Sequence, residues 1–490
     1  MSTSPFLSLP PELRHMIYKY YYTTPDGYFL QPISRKLAAA NGKPLDLALM
    51  YTCRFIAHET RDLPLLYNDI SISTIYDPEL RPWAGRFDYL LYAQLQQQVK
   101  LVLLLGNLDP FRRRASGISA LCEALEFTLR NLAQRATRDF YRAVNEALPD
   151  WEYSGSDRLL NFLDQCFKPW DVPHADALAE MGRKFKDERL WSTLESWAPN
   201  QRQTQEYRAK FRISAASAAI RWLSQLPANK QMCVHNLAII EDRPSVGRQE
   251  CHAEGLVPFC RANPRLRISH QVSMMNVIFS RAMLSRVGSF EGLEEYAGQE
   301  IGEQALDLAS GESFSCIAEW LAEIISLSKA GMPDGSYTFT LDGGPDVDLC
   351  SEIFQQVVLR KEAMRLTIER SLPLLGEDDR LYFGLELHRG HGNAFAQLID
   401  NSSFIKTNFN PGQLWNADKM LAEFRQIGVL DFFGKYRCVR MLFKFPRPPS
   451  TNIVPRLGAL VMENYESRPC PRRQNTQKRA QGHRRGRRQH

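Results

Sequence analysis

A chain of 490 residues with 44% hydrophobic and 11% aromatic residues has the usage of a folded globular protein and ample length for several cores, which excludes a wholly disordered or fibrous chain. Its formal charge of +6 gives no ground for a nucleic-acid-binding body: nine of the 61 Lys and Arg, and no acid, lie in residues 467–490, leaving 52 bases against 55 acids, or −3, elsewhere. The longest aliphatic run, Leu101 to Leu105, is far short of the roughly 20 apolar residues that span a bilayer, so no membrane segment or membrane partner is expected.

Ten cysteines are spread from Cys53 to Cys470, and the N-terminus has neither a basic region followed by a long apolar core nor a small-residue cleavage site. Reduced, core-filling thiols in the nucleus or cytoplasm are the expectation.

The first element reads as a helix from Leu9 to Tyr22, with prolines in its first turn and Glu12 near its positive end. Leu13, Met16, Ile17, Tyr20 and Tyr21 fall at helical spacing and form an apolar stripe that something must cover. A polar connection from Gly27 to Pro44 follows. A second helix is expected from Asp46, with Leu49, Cys53, Ile56, Ala57 and Thr60 on one face and Arg54, His58, Glu59 and Arg61 on a solvated one. The alternation from Asp69 to Ile75 reads as a strand that closes a module of residues 5–75.

The pattern Leu-Pro-Pro-Glu-Leu-Arg-x-x-Ile-Tyr-x-Tyr from Leu9 to Tyr20, then Leu45-x-Leu-x-x-Met-x-x-Cys-Arg to Arg54 and Leu65-Leu-Tyr67, resembles the N-termini of fungal F-box-like domain-containing proteins. The segment Glu250 to Ile268 is similar to the middle of the same proteins. The resemblance implies a non-enzymatic subunit of an SCF-type ubiquitin ligase. In that reading Leu9, Pro10, Leu13, Ile17, Leu49 and Cys53 contribute to a surface that docks on the cullin-ligase adaptor protein, and the chain beyond residue 76 holds an unknown client protein.

Residues 76–199 are rich in Arg, Glu, Ala and Leu and favour helices. Four helix-then-strand units are expected along the chain: Tyr89–Gln98 before Val99–Leu105, Ala215–Leu226 before Val234–Ile240, Ile317–Ser328 before Tyr337–Leu341, and Ala417–Gln426 before Val439–Phe445. The fold class is therefore mixed α/β and mainly helical, with an irregular, solenoid-like helix–strand body over 200–465 and a disordered basic tail over 466–490.

Motifs that carry chemistry are weak. Cys233, His235, Cys251, His252 and Cys260 offer zinc-type ligands but no Cys-x-x-Cys pair, and read as core cysteines and surface histidines. His388 and His391 stand in a glycine-rich turn, and Asp342 to Asp348 reads as a strand exit followed by a helix cap. No nucleophile elbow or phosphate-cradling loop occurs. No metal, cofactor or catalytic residue is expected; an enzyme assembled from scattered residues is the weaker alternative. The tail is sharper: Arg472 and Arg473, then Arg484, Arg485, Arg487 and Arg488, have the two-cluster form that an import receptor reads, which makes a nuclear scaffold or nucleic-acid-associated protein the competing expectation.

Overall fold

The computed structural model describes residues 5–32, 34–104, 137–148, 157–165, 167–185, 206–284, 310–371, 394–400, 404–436 and 462–467, with short pieces between them. Helix α1 (Pro11–Tyr22) opens on a proline that has no amide to lose, with Glu12 in its first turn and Lys19 in its last. The stretch expected as a polar connection instead forms a hairpin, β1 (Tyr28–Leu30) and β2 (Leu37–Ala39). Gly27, at φ +65°, starts β1: a Cβ there would lie 2.3 Å from the Asp69 carbonyl oxygen, which accepts the Tyr28 amide at 2.8 Å.

The second helix is broken where the sequence suggested continuity. Asp46 caps a short 3-10 turn (Ala48–Tyr51) by accepting the Ala48 amide, and the Thr52 hydroxyl closes the turn by donating to the Leu49 carbonyl. Cys53 is then extended, and α2 (Arg54–Thr60) starts afresh, followed by α3 (Leu63–Tyr67) and β3 (Ile70–Ser73).

Helix α4 (Arg81–Leu104) runs through the segment expected as a strand at 99–105. No turn residue separates Gln98 from Val99, and a short aliphatic run suits a buried helix as well as a strand. Among the described residues α5 (Arg138–Ala147), α6 (Asp157–Asp164) and α7 (Ala175–Phe185) follow. With α4 they enclose a core of Phe87, Leu90, Phe140, Trp151, Phe162 and Met181. Strands β4 (Ala198–Pro199) and β5 (Glu206–Ala209) lead into the body.

In the body come α8 (Ala215–Gln225), β6 (Asn236–Glu241), a 3-10 segment (Gln249–Leu256), α9 (Val257–Ala262) and β7 (Arg267–Ser273). Then follow α10 (Ser310–Ala330), β8 (Tyr337–Asp342), α11 (Val347–Ile353), α12 (Leu359–Ser371), α13 (Ala394–Asp400) and β9 (Ile405–Thr407). The last of the described elements are α14 (Ala417–Tyr436), which is broken by a kink at Gly428 (φ +79°), and β10 (Tyr465–Ser467). Two of the four expected helix–strand units are present, at 215–241 and 310–342; the strand expected at 439–445 lies outside the described residues. Glu466 and Ser467, expected to begin the tail, belong to β10, which pairs antiparallel with β5.

The protein is thus mixed α/β and mainly helical, with one seven-stranded sheet in the order β2-β1-β3-β6-β7-β8-β9. Every pair from β1 to β9 is parallel, and only β1 and β2 are antiparallel. The parallel strands succeed one another in chain order without reversal, so there is no switch point of the kind that opens a ligand crevice in doubly wound sheets. Crossovers of one hand that always advance the same way place their helices on one face.

The burial pattern agrees. One face carries the buried register row Ile72–Ile239–His270–Phe339–Ile405. The other carries Ser71–Ala238–Ser269–Thr338 and Ser73–Ile240–Gln271–Thr340–Lys406, all partly or fully exposed. Parallel sheets are usually covered on both faces; this one alternates apolar-in and polar-out.

Gly255 shows how closely the helical layer is packed. A Cβ there would fall 2.3 Å from the Trp170 ring and 2.6 Å from Ile220 of α8. Gly255→Ala is expected to cost about 1–3 kcal/mol through overpacking, read as a lower denaturant midpoint. A shift worth less than about 0.5 kcal/mol would mean that the ring gives way freely.

Candidate protein-docking surface

Helix α1 is amphipathic in an unusual sense, because its apolar stripe faces solvent. Leu13, Met16, Ile17 and Tyr20 are 47%, 67%, 43% and 90% exposed, whereas the buried positions are Arg14, Tyr18 and Tyr22. Arg14 makes a two-pronged ion pair with Glu59 of α2, Nη2 to Oε1 at 2.6 Å and Nε to Oε2 at 3.0 Å. The Tyr18 hydroxyl donates to the same carboxylate at 2.8 Å, and Arg14 also donates to the Leu9 carbonyl. Glu59, expected on a solvated face, is therefore the anchor between the two helices, and the guanidinium holds its carboxyl below the usual range. Burial, reinforced by that carboxylate, pushes the Tyr18 phenol up to about 12.

Around this pair Tyr18, Tyr22, Ile56 and Leu63 form a small core, with Leu49, Leu66 and Tyr67 against it. Asn68 ties the end of α1 to α3, donating to the Tyr22 and Pro64 carbonyls at 2.8 Å each. The inward face is fixed by charge and hydrogen bonds, which leaves the apolar face of α1 free.

The residues expected to form the docking surface divide as follows. Pro10, Leu13, Ile17 and Cys53 are exposed; Leu9 and Leu49 are half-buried, Leu49 against the small core. Tyr21, one helical turn beyond Ile17, has its phenol raised by burial and by the nearby Asp46 carboxylate, so the flank of α1 that carries Leu13 and Ile17 borders the turn leading to Cys53. Met16 and Tyr20, read in the sequence as part of the stripe, are exposed beside them, and sequence reasoning missed two further exposed apolar groups, Tyr51 and Phe55, in the same module. The Phe55 ring lies under the Arg14 guanidinium at 5.1 Å, which places it at the N-terminal half of α1.

A second concentration of polar groups is sealed inside the body. Glu241, fully buried at the end of β6, accepts the amides of Ala215 at 3.0 Å and Ala216 at 2.9 Å at the start of α8. Desolvation nevertheless raises its carboxyl to about 7. His270 bonds the Tyr337 hydroxyl through Nδ1 at 2.6 Å; its Nε2, 3.8 Å from Glu241, has no hydrogen-bond partner. His252, expected at the surface, is buried between Ser214 Oγ and the Gly247 carbonyl, each at 2.6 Å. The Ser214–His252 contact has the spacing of a nucleophile and its base. Ser214, however, is wholly buried and caps α8 by accepting the Ser217 amide.

Cys251 and Cys260 are buried and Cys233 is partly exposed, and no cluster of three potential metal ligands occurs among the described residues. Asp342 ends β8, and Asp346 caps α11 by accepting the Leu349 amide at 3.0 Å, as the strand-exit reading expects. His388, His391 and the basic clusters Arg472, Arg473, Arg484, Arg485, Arg487 and Arg488 lie outside the described residues. No described helix is long and apolar enough to cross a membrane.

Compared with protein-family models, curated proteins and solved structures, the chain matches none.

Proposed function

We propose that the chain is a non-enzymatic protein-interaction subunit that brings a client protein to an SCF-type ubiquitin ligase. The observation that carries this reading is the exposure of Leu13, Met16, Ile17 and Tyr20 along one face of a helix whose opposite face is locked by Arg14, Glu59 and Asn68. An apolar stripe left in water costs free energy, and a protein partner that covers it recovers that cost. The occupant is the cullin-ligase adaptor, as the Leu9–Tyr20 and Leu45–Arg54 patterns suggest.

The succession of the parallel strands in chain order fits the second half of such a task. The face opposite the buried row presents partly or fully exposed Ser, Thr, Gln and Lys side chains in register rows, with Ala238 and Ile240 among them, a largely polar surface on which a client can be held. Affinity purification of the full chain followed by mass spectrometry is expected to return the adaptor and a cullin together. Repeated purifications that enrich other proteins but neither of these two would sink the ligase reading.

A further inference from the structure

Beside the three-stranded sheet of β10, β5 and β4, where β5 and β10 meet the loop after β6, lies an open cavity of about 140 Å³ lined by Asp88, Lys210, Phe211, Arg212, Ser245 and Asn464, among others. That space is far above the ~15 Å³ that a single water needs. The cations around it are unequally satisfied. Arg243 pairs with Glu463 at 2.9 Å, while Arg81 and Arg208 share Glu466. The two cations that line the cavity, Lys210 and Arg212, feel these acids at longer range but make no ion pair among the described residues.

Arg212 is only 6% exposed, yet its hydrogen bonds go to neutral oxygens, the Asn464 side-chain carbonyl and the Glu463 main-chain carbonyl, each at 2.7 Å. Lys210 has the Tyr76 ring at 5.7 Å and no carboxylate at ion-pair distance among the described residues. Burial, with the Arg243 guanidinium nearby, lowers the Arg212 pKa to about 10, and the Asp242 and Glu463 carboxylates offset this only in part. The one acid on the cavity wall, Asp88, accepts the Gly247 amide at 2.8 Å and pairs with neither cation.

We infer that this cavity is a binding site for a small oxyanion, a phosphate or a carboxylate, seated against Arg212 and Lys210. The anion supplies a counter-charge in direct contact. Asn464 and Glu463 hold Nη1 and Nη2 of Arg212 in place on the cavity wall, so its positive charge is already positioned beside the anion. Asn464 is itself fixed by donating to Ser280 at 2.8 Å, so the arginine does not have to be ordered on binding.

The test is isothermal titration of the full chain in a chloride buffer, with inorganic phosphate in one arm and succinate in the other. Saturable one-to-one binding of either, with Kd below about 1 mM, supports the site, and the arm that binds names the source. Lys210→Gln and Arg212→Gln are each expected to weaken binding about tenfold or more. If Arg212→Gln does not fold, the more exposed Lys210→Gln decides alone. Asp88→Asn, which removes the opposing charge, is expected to leave binding equal or tighter. The inference is overturned if neither anion binds up to about 20 mM, if Lys210→Gln binds like the native protein, or if Asp88→Asn abolishes binding.

Discussion

Ile17→Asp is expected to abolish capture of the cullin-ligase adaptor while leaving the fold intact. Ile17 is 43% exposed on the free face of α1, flanked at helical spacing by Leu13 and Tyr20. A carboxylate there stays hydrated in the free protein, so the stability change should remain within about 0.5 kcal/mol. In the complex the same carboxylate would be buried against apolar surface with nothing to pair with, a cost of at least ~2–4 kcal/mol, or roughly 30- to 1000-fold in affinity. Tyr18→Ala separates the two faces of the helix. Tyr18 is buried and donates to Glu59, so its loss should lower the melting temperature. Pull-down with purified adaptor, paired with thermal melts, reads both effects. Undiminished capture by Ile17→Asp would remove the apolar face as the docking site.

The stripe on α1 was legible in the sequence, but its outward direction was implied only by the resemblance and not by periodicity. Hydrophobicity names Leu13, Met16, Ile17 and Tyr20 as one face, and the usual inference is that such a face turns inward. The inward face instead reads Arg14, Tyr18 and Tyr22, and its partner Glu59 lies 45 residues away, beyond any local pattern. The hairpin at β1 and β2 was missed because each strand has three residues and β1 is held by parallel pairing of Tyr28 with Ile70, a contact set by tertiary structure. Glu241 and His270 left a trace that could have been followed: each extends a period-2 row of buried residues, Leu237–Ile239–Glu241 and Ile268–His270–Val272. The oxyanion cavity had none, since its walls come from α4, the segments around residues 210 and 245, and the start of β10.

Those two rows lead to the second large effect, a loss of stability on mild acidification. His252 and His270 are fully buried, and desolvation holds their imidazoles down to about 4 and about 3 respectively. In the unfolded chain both titrate near the ordinary value of about 6.5. Below that pH the unfolded state takes up protons that the folded state refuses, so stability falls as pH drops, by about 1.4 kcal/mol per unit for each imidazole until the folded-state value is reached. Glu241 acts in the opposite sense: held up to about 7, it contributes stability that is present at low pH and lost as pH rises through that value. One carboxyl opposes two imidazoles between about pH 4.5 and 6.5, so the imidazoles win and these groups place the stability maximum near pH 6.5. Against a typical total of about 5–15 kcal/mol, the acid arm is large. Urea unfolding from pH 4 to 8 is expected to show a steep decline below about pH 6. The double variant His270→Phe with Tyr337→Phe, which removes one buried imidazole together with its hydroxyl partner, should lessen that slope by about one proton. A stability profile that stays level from pH 7 to pH 5 in the native protein would mean that water or rearrangement relieves the buried imidazoles, and that burial does not hold His252 and His270 neutral.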